Sequence, residues 1–257
     1  MATIEFNKEC NYVTFPKLDN QNIINLYTTK PFNFRTCLVS DKEIKQYYID
    51  IQNSINNNFT KIIKPNQNHT NIVKVVTEEN INEVFEDVDG LITNLKNIAL
   101  VTSLADCQGI FLYDKENQVI GNIHSGWKGT LNKIIINAIN LMISTYNSNP
   151  ENIEVYITPS IENCCFEVDD DVKNLFINNF KELDIKKFIT LGEIKDNKQK
   201  YFIDTIGINK AIMLTKGIKE ENITLSNLCT KCHSKYFHSH RSEGINSGRN
   251  IALICLK

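Results

Sequence analysis

No run of apolar residues in this sequence approaches the roughly 20 positions that a membrane-spanning helix requires. The opening Met1-Ala2-Thr3-Ile4-Glu5-Phe6-Asn7-Lys8 lacks the basic start and apolar stretch of an export leader, so a cytoplasmic protein without a membrane partner is expected. An excess of charge of one sign is missing as well. With 28 Lys and Arg against 30 Asp and Glu, no broad basic field exists to draw in nucleic acid. Small anions stay within reach, because a few local Arg residues suffice to bind them. Proline and glycine are sparse, at 5 and 10 residues, and no Gly/Ser or Pro-rich linker and no repeat divides the chain. A single compact domain over residues 1–257 is expected, and a monomer is the default.

What is present is an ordinary globular composition, 42% hydrophobic and 23% charged. A domain of this length buries roughly 70–75% of its unfolded surface and needs no disulfide or metal to fold. A bound metal would then serve chemistry rather than scaffolding. The 8 cysteines, in a reducing compartment, are expected as buried thiols or metal ligands. The abundant Asn, Ile and Lys carry no functional reading.

Residues 1–60 show little periodicity. From Ile72 onward, Ile72–Val76, Ile98–Thr102, Gly109–Tyr113 and Val119–Ile123 read as strands, the last two joined as a hairpin through Lys115-Glu116-Asn117-Gln118. Leu131, Ile134, Ile135, Ala138, Ile139 and Met142 recur at helical spacing, with Asn149-Pro150 beyond. Glu154–Thr158 reads as a strand, Val168–Phe180 as a helix, Ile206–Thr215 as a helix ending near Gly217, and Asn250–Cys255 as the last strand. Strands and helices mix without strict alternation. The expected fold is α/β (α+β), a mixed β-sheet flanked by helices rather than a doubly wound parallel sheet.

Ala105-Asp106-Cys107 closes an apolar strand, and His124-Ser125-Gly126-Trp127-Lys128-Gly129 lies between a strand and a helix. Strand ends are where catalytic groups gather. Gly126 and Gly129 allow close backbone approach. The hairpin can bring Cys107 to His124, and His69 before another strand can complete a set of three. A thiolate and two neutral imidazoles suit zinc and leave a fourth position for water or substrate. On spacing alone, a buried thiol and two ordinarily hydrogen-bonded imidazoles is the commoner arrangement, since no local pair has tight zinc spacing.

Several ordered segments add to this. Ser103-Leu104-Ala105-Asp106-Cys107 followed by His124-Ser125-Gly126-Trp127-Lys128-Gly129 resembles the core signature of the YfiH-type purine nucleoside phosphorylases, formerly labelled laccase-like multicopper polyphenol oxidases. Gln67-Asn68-His69, Asp89-Gly90-Leu91-Ile92-Thr93 and Pro159-Ser160-Ile161-Glu162-Asn163-Cys164-Cys165-Phe166-Glu167-Val168 match further motifs of that family in order. So do Cys229-Thr230, Phe237-His238-Ser239-His240-Arg241 and Ser247-Gly248-Arg249, and the similarity spans residues 65–257. The resemblance implies that His69, Cys107 and His124 hold the metal, zinc before copper.

It further implies phosphorolysis of adenosine, inosine and guanosine, cleavage of methylthioadenosine, and adenosine deamination. The substrates are then a purine nucleoside and phosphate. Lys128, Arg241 and Arg249 become the candidates for holding phosphate. Asp106 is either a general base or ligand orienter, or a buried capping carboxylate, with equal weight. The sequence departs from the family in a shortened N-terminal region of about 60 residues, where only Phe34–Ser40 loosely resembles the family's segment. Lys128 replaces the usual Arg, keeping the charge and losing the bidentate fork, and His240 and Ser242 stand where Tyr and Arg are usual.

Other functions stay open. The same triad would serve amide hydrolysis in peptidoglycan-precursor editing, which the family also includes. A copper oxidase is disfavoured: the chain has five His in total, three of them toward the C-terminus, and Met142 and Met213 have no evident reason to lie near the triad. A non-catalytic metal-binding module is the remaining alternative. Cys229-Thr230-Lys231-Cys232-His233 spells a haem c attachment motif, which conflicts with a cytoplasmic chain. The segment could bind a structural zinc with Cys164 or Cys165, although buried thiols are the simpler expectation.

Overall fold

The computed structural model describes residues 5–18 and 22–257. Met1–Ile4, part of the N-terminus read as lacking a leader, lies outside the described residues. Strands β1 (Glu5–Asn7), β2 (Tyr12–Thr14) and β3 (Ile23–Thr28) precede helix α1 (Asp41–Ser54). Strands β4 (Lys61–Ile63), β5 (Val73–Val75), β6 (Gly90–Thr93), β7 (Ile98–Leu104), β8 (Gln108–Asp114) and β9 (Val119–Ser125) follow. Next come α2 (Trp127–Leu131), α3 (Ile134–Tyr146), β10 (Ile153–Ile157), β11 (Glu167–Val168) and α4 (Asp170–Asn179). The hairpin β12 (Ile189–Lys195) and β13 (Lys198–Ile203), then α5 (Thr205–Thr215), β14 (Ile223–Leu225), α6 (His240–Glu243) and β15 (Asn250–Leu256) complete the chain.

One six-stranded sheet runs β1-β2-β3-β15-β7-β4, a second runs β14-β10-β8-β9-β6-β5, and a three-stranded sheet runs β11-β13-β12. Both large sheets mix parallel and antiparallel pairs: β4 lies parallel to β7 and β5 parallel to β6, while the central pairs are antiparallel. The strands read as continuous apolar runs because both faces of each large sheet are covered. Leu100, Ala252 and Ile254 of the first sheet meet Phe111, Tyr113, Ile120 and Tyr156 of the second. The alternate residues Ala99, Val101, Ile251 and Leu253 face outward against Ile51, Tyr47 and Tyr48 of α1. On the far side of the second sheet, Ile110, Leu112 and Ile123 pack against Ile135, Ile139 and Met142 of α3 and Ile208 and Ile212 of α5. The layers are thus helix, sheet, sheet, helix.

Several boundaries differ from the sequence reading. The apolar period through Leu131–Met142 is split between two helices, because Lys133 takes a left-handed conformation (φ 57°). The period survives the break, so it carries no sign of the interruption. Val168 pairs in β11, and the expected helix begins at Asp170. The poorly periodic first 60 residues supply β1–β3 and α1. That helix carries a legible start: Ser40 caps it and Glu43 returns a bond to the Ser40 N–H, a capping box. The β12–β13 hairpin turns through Asp196-Asn197, both at positive φ, as two-residue hairpins require.

Among the described residues no helix is long and apolar enough to cross a membrane.

Candidate metal centre and pocket

Strand register brings the site together. Gly90 pairs with Ile123, so Asp89 stands beside His124. Gly109 pairs with His124 and Gln108 with Ser125, so Cys107, one residue before β8, arrives at the same edge. The loop carrying His69 is pinned from two sides. Gln67 bonds the Ser103 backbone twice, its Oε1 accepting from N–H at 2.7 Å and its Nε2 donating to C=O at 3.1 Å. The Asp89 carboxylate accepts from the N–H groups of Asn68, His69 and Thr70 and from the Thr70 hydroxyl. Its Oδ1 also lies 2.6 Å from His124 Nδ1.

Asp89 therefore fixes the His69 loop and leaves His124 Nε2 as the ring atom available to a ligand, the arrangement usual behind metal-bound histidines. Asp89 is wholly buried. In the sequence it belongs to a motif but has no legible role; a buried acid facing a strand-end His is a signal that only the register reveals.

The ligand atoms of His69, Cys107 and His124 all lie within 4.8 Å of one another, with Cys107 Sγ 3.8 Å from His69 Nε2. Gly126 is required there. A Cβ at that position would come 2.8 Å from His69 Cδ2 and 3.0 Å from Cys107 Sγ, so the expected close approach is realised sterically. At Gly129 an added Cβ meets only ordinary contacts, the nearest 3.4 Å away.

Burial works against charge at Cys107, yet the His124 charge and hydrogen bonds from His124 and His69 bring its thiol down to about 6. Burial likewise opposes protonation of His124, while Cys107 and Asp89 together raise it to about 9. At Asp89, bonds from His124 and Thr70 overcome burial and hold the carboxyl at about 2. The pocket is built for a thiolate facing a positive centre. Two imidazoles and one thiolate at these separations fit a zinc ion, with a wall open to a further ligand.

The triad sits in the wall of a cavity of about 970 Å³. Asp106, Arg241 and Arg249 line the same cavity; Lys128 does not, being exposed on α2 with its Nζ 5.7 Å from the Trp127 ring. Both oxygens of Asp106 are engaged: Oδ1 accepts from the Thr230 hydroxyl at 2.7 Å and Oδ2 from the Arg241 N–H at 2.6 Å. Arg241 Nη1 donates to the carbonyls of Cys165 and Glu167, which lays the guanidinium 5.6 Å over the Phe166 ring. Arg249 Nη1 is anchored on Ser247 and Gly248.

Lys64, which no sequence motif marks, also lines the cavity; the pocket walls and then Arg249 depress its pKa. Of the other histidines, His240 reaches the cavity, whereas His233 and His238 bond the carbonyls of Cys229 and Phe32. Met142 and Met213 are buried in the helix-side core, away from the triad.

The model of the family described as multi-copper polyphenol oxidoreductase laccase matches residues 33–257. A Borreliella burgdorferi protein named purine nucleoside phosphorylase is 32% identical over 99% of both chains. A protein named adenosine deaminase RL5, from an unknown prokaryotic organism, is 32% identical over 76% of this chain and 75% of its own. The crystal structure of a Bacillus licheniformis hypothetical protein YfiH superposes with a TM-score of 0.88 over the whole of both chains, at 24% identity, and so shares the fold. With the matched model covering all but the first 32 residues, the chain belongs to the multi-copper polyphenol oxidoreductase laccase family, the one that the ordered motifs resemble.

Proposed function

We propose that this protein is a cytoplasmic, zinc-dependent purine nucleoside phosphorylase acting on adenosine, inosine and guanosine, with adenosine deamination in the same pocket. One observation carries the reading: the His69, Cys107 and His124 donors share a cavity with the guanidinium groups of Arg241 and Arg249. A metal centre paired with anchored cations suits a substrate set of one neutral nucleoside and one phosphate. The name of the Borreliella burgdorferi relative supports the phosphorylase, and that of RL5 the deaminase.

Zinc, when bound by this donor set, supplies Lewis acidity and acidifies water in the remaining position. The chain's own residues do the rest. Arg241 and Arg249, fixed by backbone carbonyls, hold phosphate by charge-assisted bonds. The Phe166 ring and the half-buried Trp127 offer apolar surface to the purine. In phosphorolysis a phosphate oxygen bonds to C1′ as the C1′–N9 bond breaks, and the purine leaves with that electron pair and gains a proton. Asp106, with both oxygens occupied, acts as a positioning residue that sets the Arg241 backbone.

Adenosine, inosine and guanosine should be incubated with zinc-loaded protein, with and without phosphate, and the products separated by chromatography. Free base that needs both phosphate and Cys107, shown by a Cys107→Ala control, supports the phosphorylase. Inosine formed from adenosine without phosphate adds the deaminase. No turnover from metal-loaded protein sinks the nucleoside reading and brings peptidoglycan-precursor amide hydrolysis forward.

A further inference from the structure

Four cysteines gather on the far side of the Arg241 wall. Cys164 and Cys165 sit in the turn after β10, and Cys229 and Cys232 in the turn after β14. Backbone bonds stitch the two turns together: Ser160 N–H donates to Leu228 and Thr230 N–H to Ser160. The four Sγ atoms all lie within 4.8 Å of one another. Cys232 Sγ is 3.8 Å from Cys164 Sγ and 3.5 Å from Cys165 Sγ. Tetrahedral zinc with bonds of about 2.3 Å places its sulfur ligands about 3.8 Å apart, whereas a disulfide needs about 2.05 Å. All eight cysteines are free thiols in the structure.

Buried thiols, the simpler sequence expectation, describe only Cys229. Cys164 and Cys232 are exposed and Cys165 is half-buried. Four thiols packed together at a surface are a poor apolar cluster and a good ligand set for a soft cation.

We infer that Cys164, Cys165, Cys229 and Cys232 form a second, structural zinc site that clamps one wall of the pocket. A bound dication would take the four sulfurs as thiolates, because a coordinating thiol gives up its proton. The clamp acts on the wall through the chain itself. Arg241 bonds the carbonyls of Cys165 and Glu167, and Thr230, next to Cys229, bonds Asp106. A chain of this length needs no metal to fold as a whole. The second ion would instead join two turns that backbone bonds between Ser160, Leu228 and Thr230 already bring side by side. It does not depend on the nucleoside reading.

The decisive measurements are metal content and thiol mapping. Zinc-loaded wild-type protein should carry about two equivalents of zinc per chain, and Cys107→Ala and Cys232→Ser about one each. Cobalt substitution of Cys107→Ala should give the strong sulfur-to-metal absorption of an all-thiolate tetrahedral site. In folded wild-type protein, alkylation followed by mass mapping should label exposed Cys37 quickly and leave exposed Cys164 and Cys232 protected until a chelator is added. The inference falls if Cys107→Ala holds no zinc, or if it holds iron in that place. It also falls if Cys164 and Cys232 label as fast as Cys37 without chelator. The mapping uses unaltered protein, so misfolding of a variant cannot blur the outcome.

Discussion

Asp89 does more for the candidate centre than any residue that would touch the metal, since one buried carboxylate binds three consecutive N–H groups of the His69 loop and the His124 ring. Asp89→Ala should lower zinc affinity about 10- to 100-fold, read by competition with a chromophoric chelator. Gly126→Ala should displace His69 and Cys107 from the 2.8 and 3.0 Å approaches and cut zinc retention with little change in unfolding temperature. Among the cations, placement separates the three candidates. Arg249→Ala should raise KM for phosphate by about tenfold or more, the scale of one lost charge-assisted bond. Lys128→Ala, exposed and outside the cavity lining, should change it less than twofold, a small effect by the same scale.

At the scale of elements, the two large sheets are tied by one side chain. Asn122 of β9 donates to the carbonyls of Leu100 and Ala252, at 2.8 and 2.9 Å, and accepts from the Thr102 hydroxyl at 2.9 Å. Asn122→Ala strips partners from three buried groups, and a loss of about 3 kcal/mol in urea unfolding is expected. The β8–β9 turn depends in the same way on Asp114, which accepts from the N–H groups of Glu116 and Asn117 and from the Asn117 amide. Burial alone would raise its pKa, and the Ser148 side chain and then these bonds lower it. A depressed folded pKa contributes stability above the unfolded value of about 3.9 and loses it as pH falls through the folded one. The gap in urea midpoint between wild type and Asp114→Asn should therefore be constant near neutral pH and shrink below about pH 4.

Across the whole molecule, the last strand takes the centre of a sheet. β15 is buried throughout and pairs with β3 on one side and β7 on the other. Removing residues 250–257 should abolish the cooperative unfolding transition, because the two cores flanking the first sheet lose Ile251–Leu256 at once. The cavity is likewise a product of distant parts: Lys64 and His69 precede β5, His124 ends β9, Phe166 precedes β11, and Arg241 and Arg249 flank the last turn before β15.

The sequence by itself determined the class of fold, the strands β5, β7–β10 and β15, and the helices α3 and α5, which rest on local period. Resemblance singled out His69, Cys107 and His124, and it is the structure that brings their donor atoms within 4.8 Å of one another. The sequence was nearly silent on β1–β4, whose short runs are completed by pairing partners elsewhere, and on the hairpin β12–β13, exposed along much of its length. Tertiary structure alone decided that Asp89 faces His124, that Asp106 spends both oxygens on Thr230 and Arg241, and that Lys128 stays out of the cavity. It also decided that Cys164, Cys165, Cys229 and Cys232 meet. The reason is physical: period and propensity act over a few residues, whereas strand register and layer stacking set which side chains, tens of positions apart, share a few ångströms.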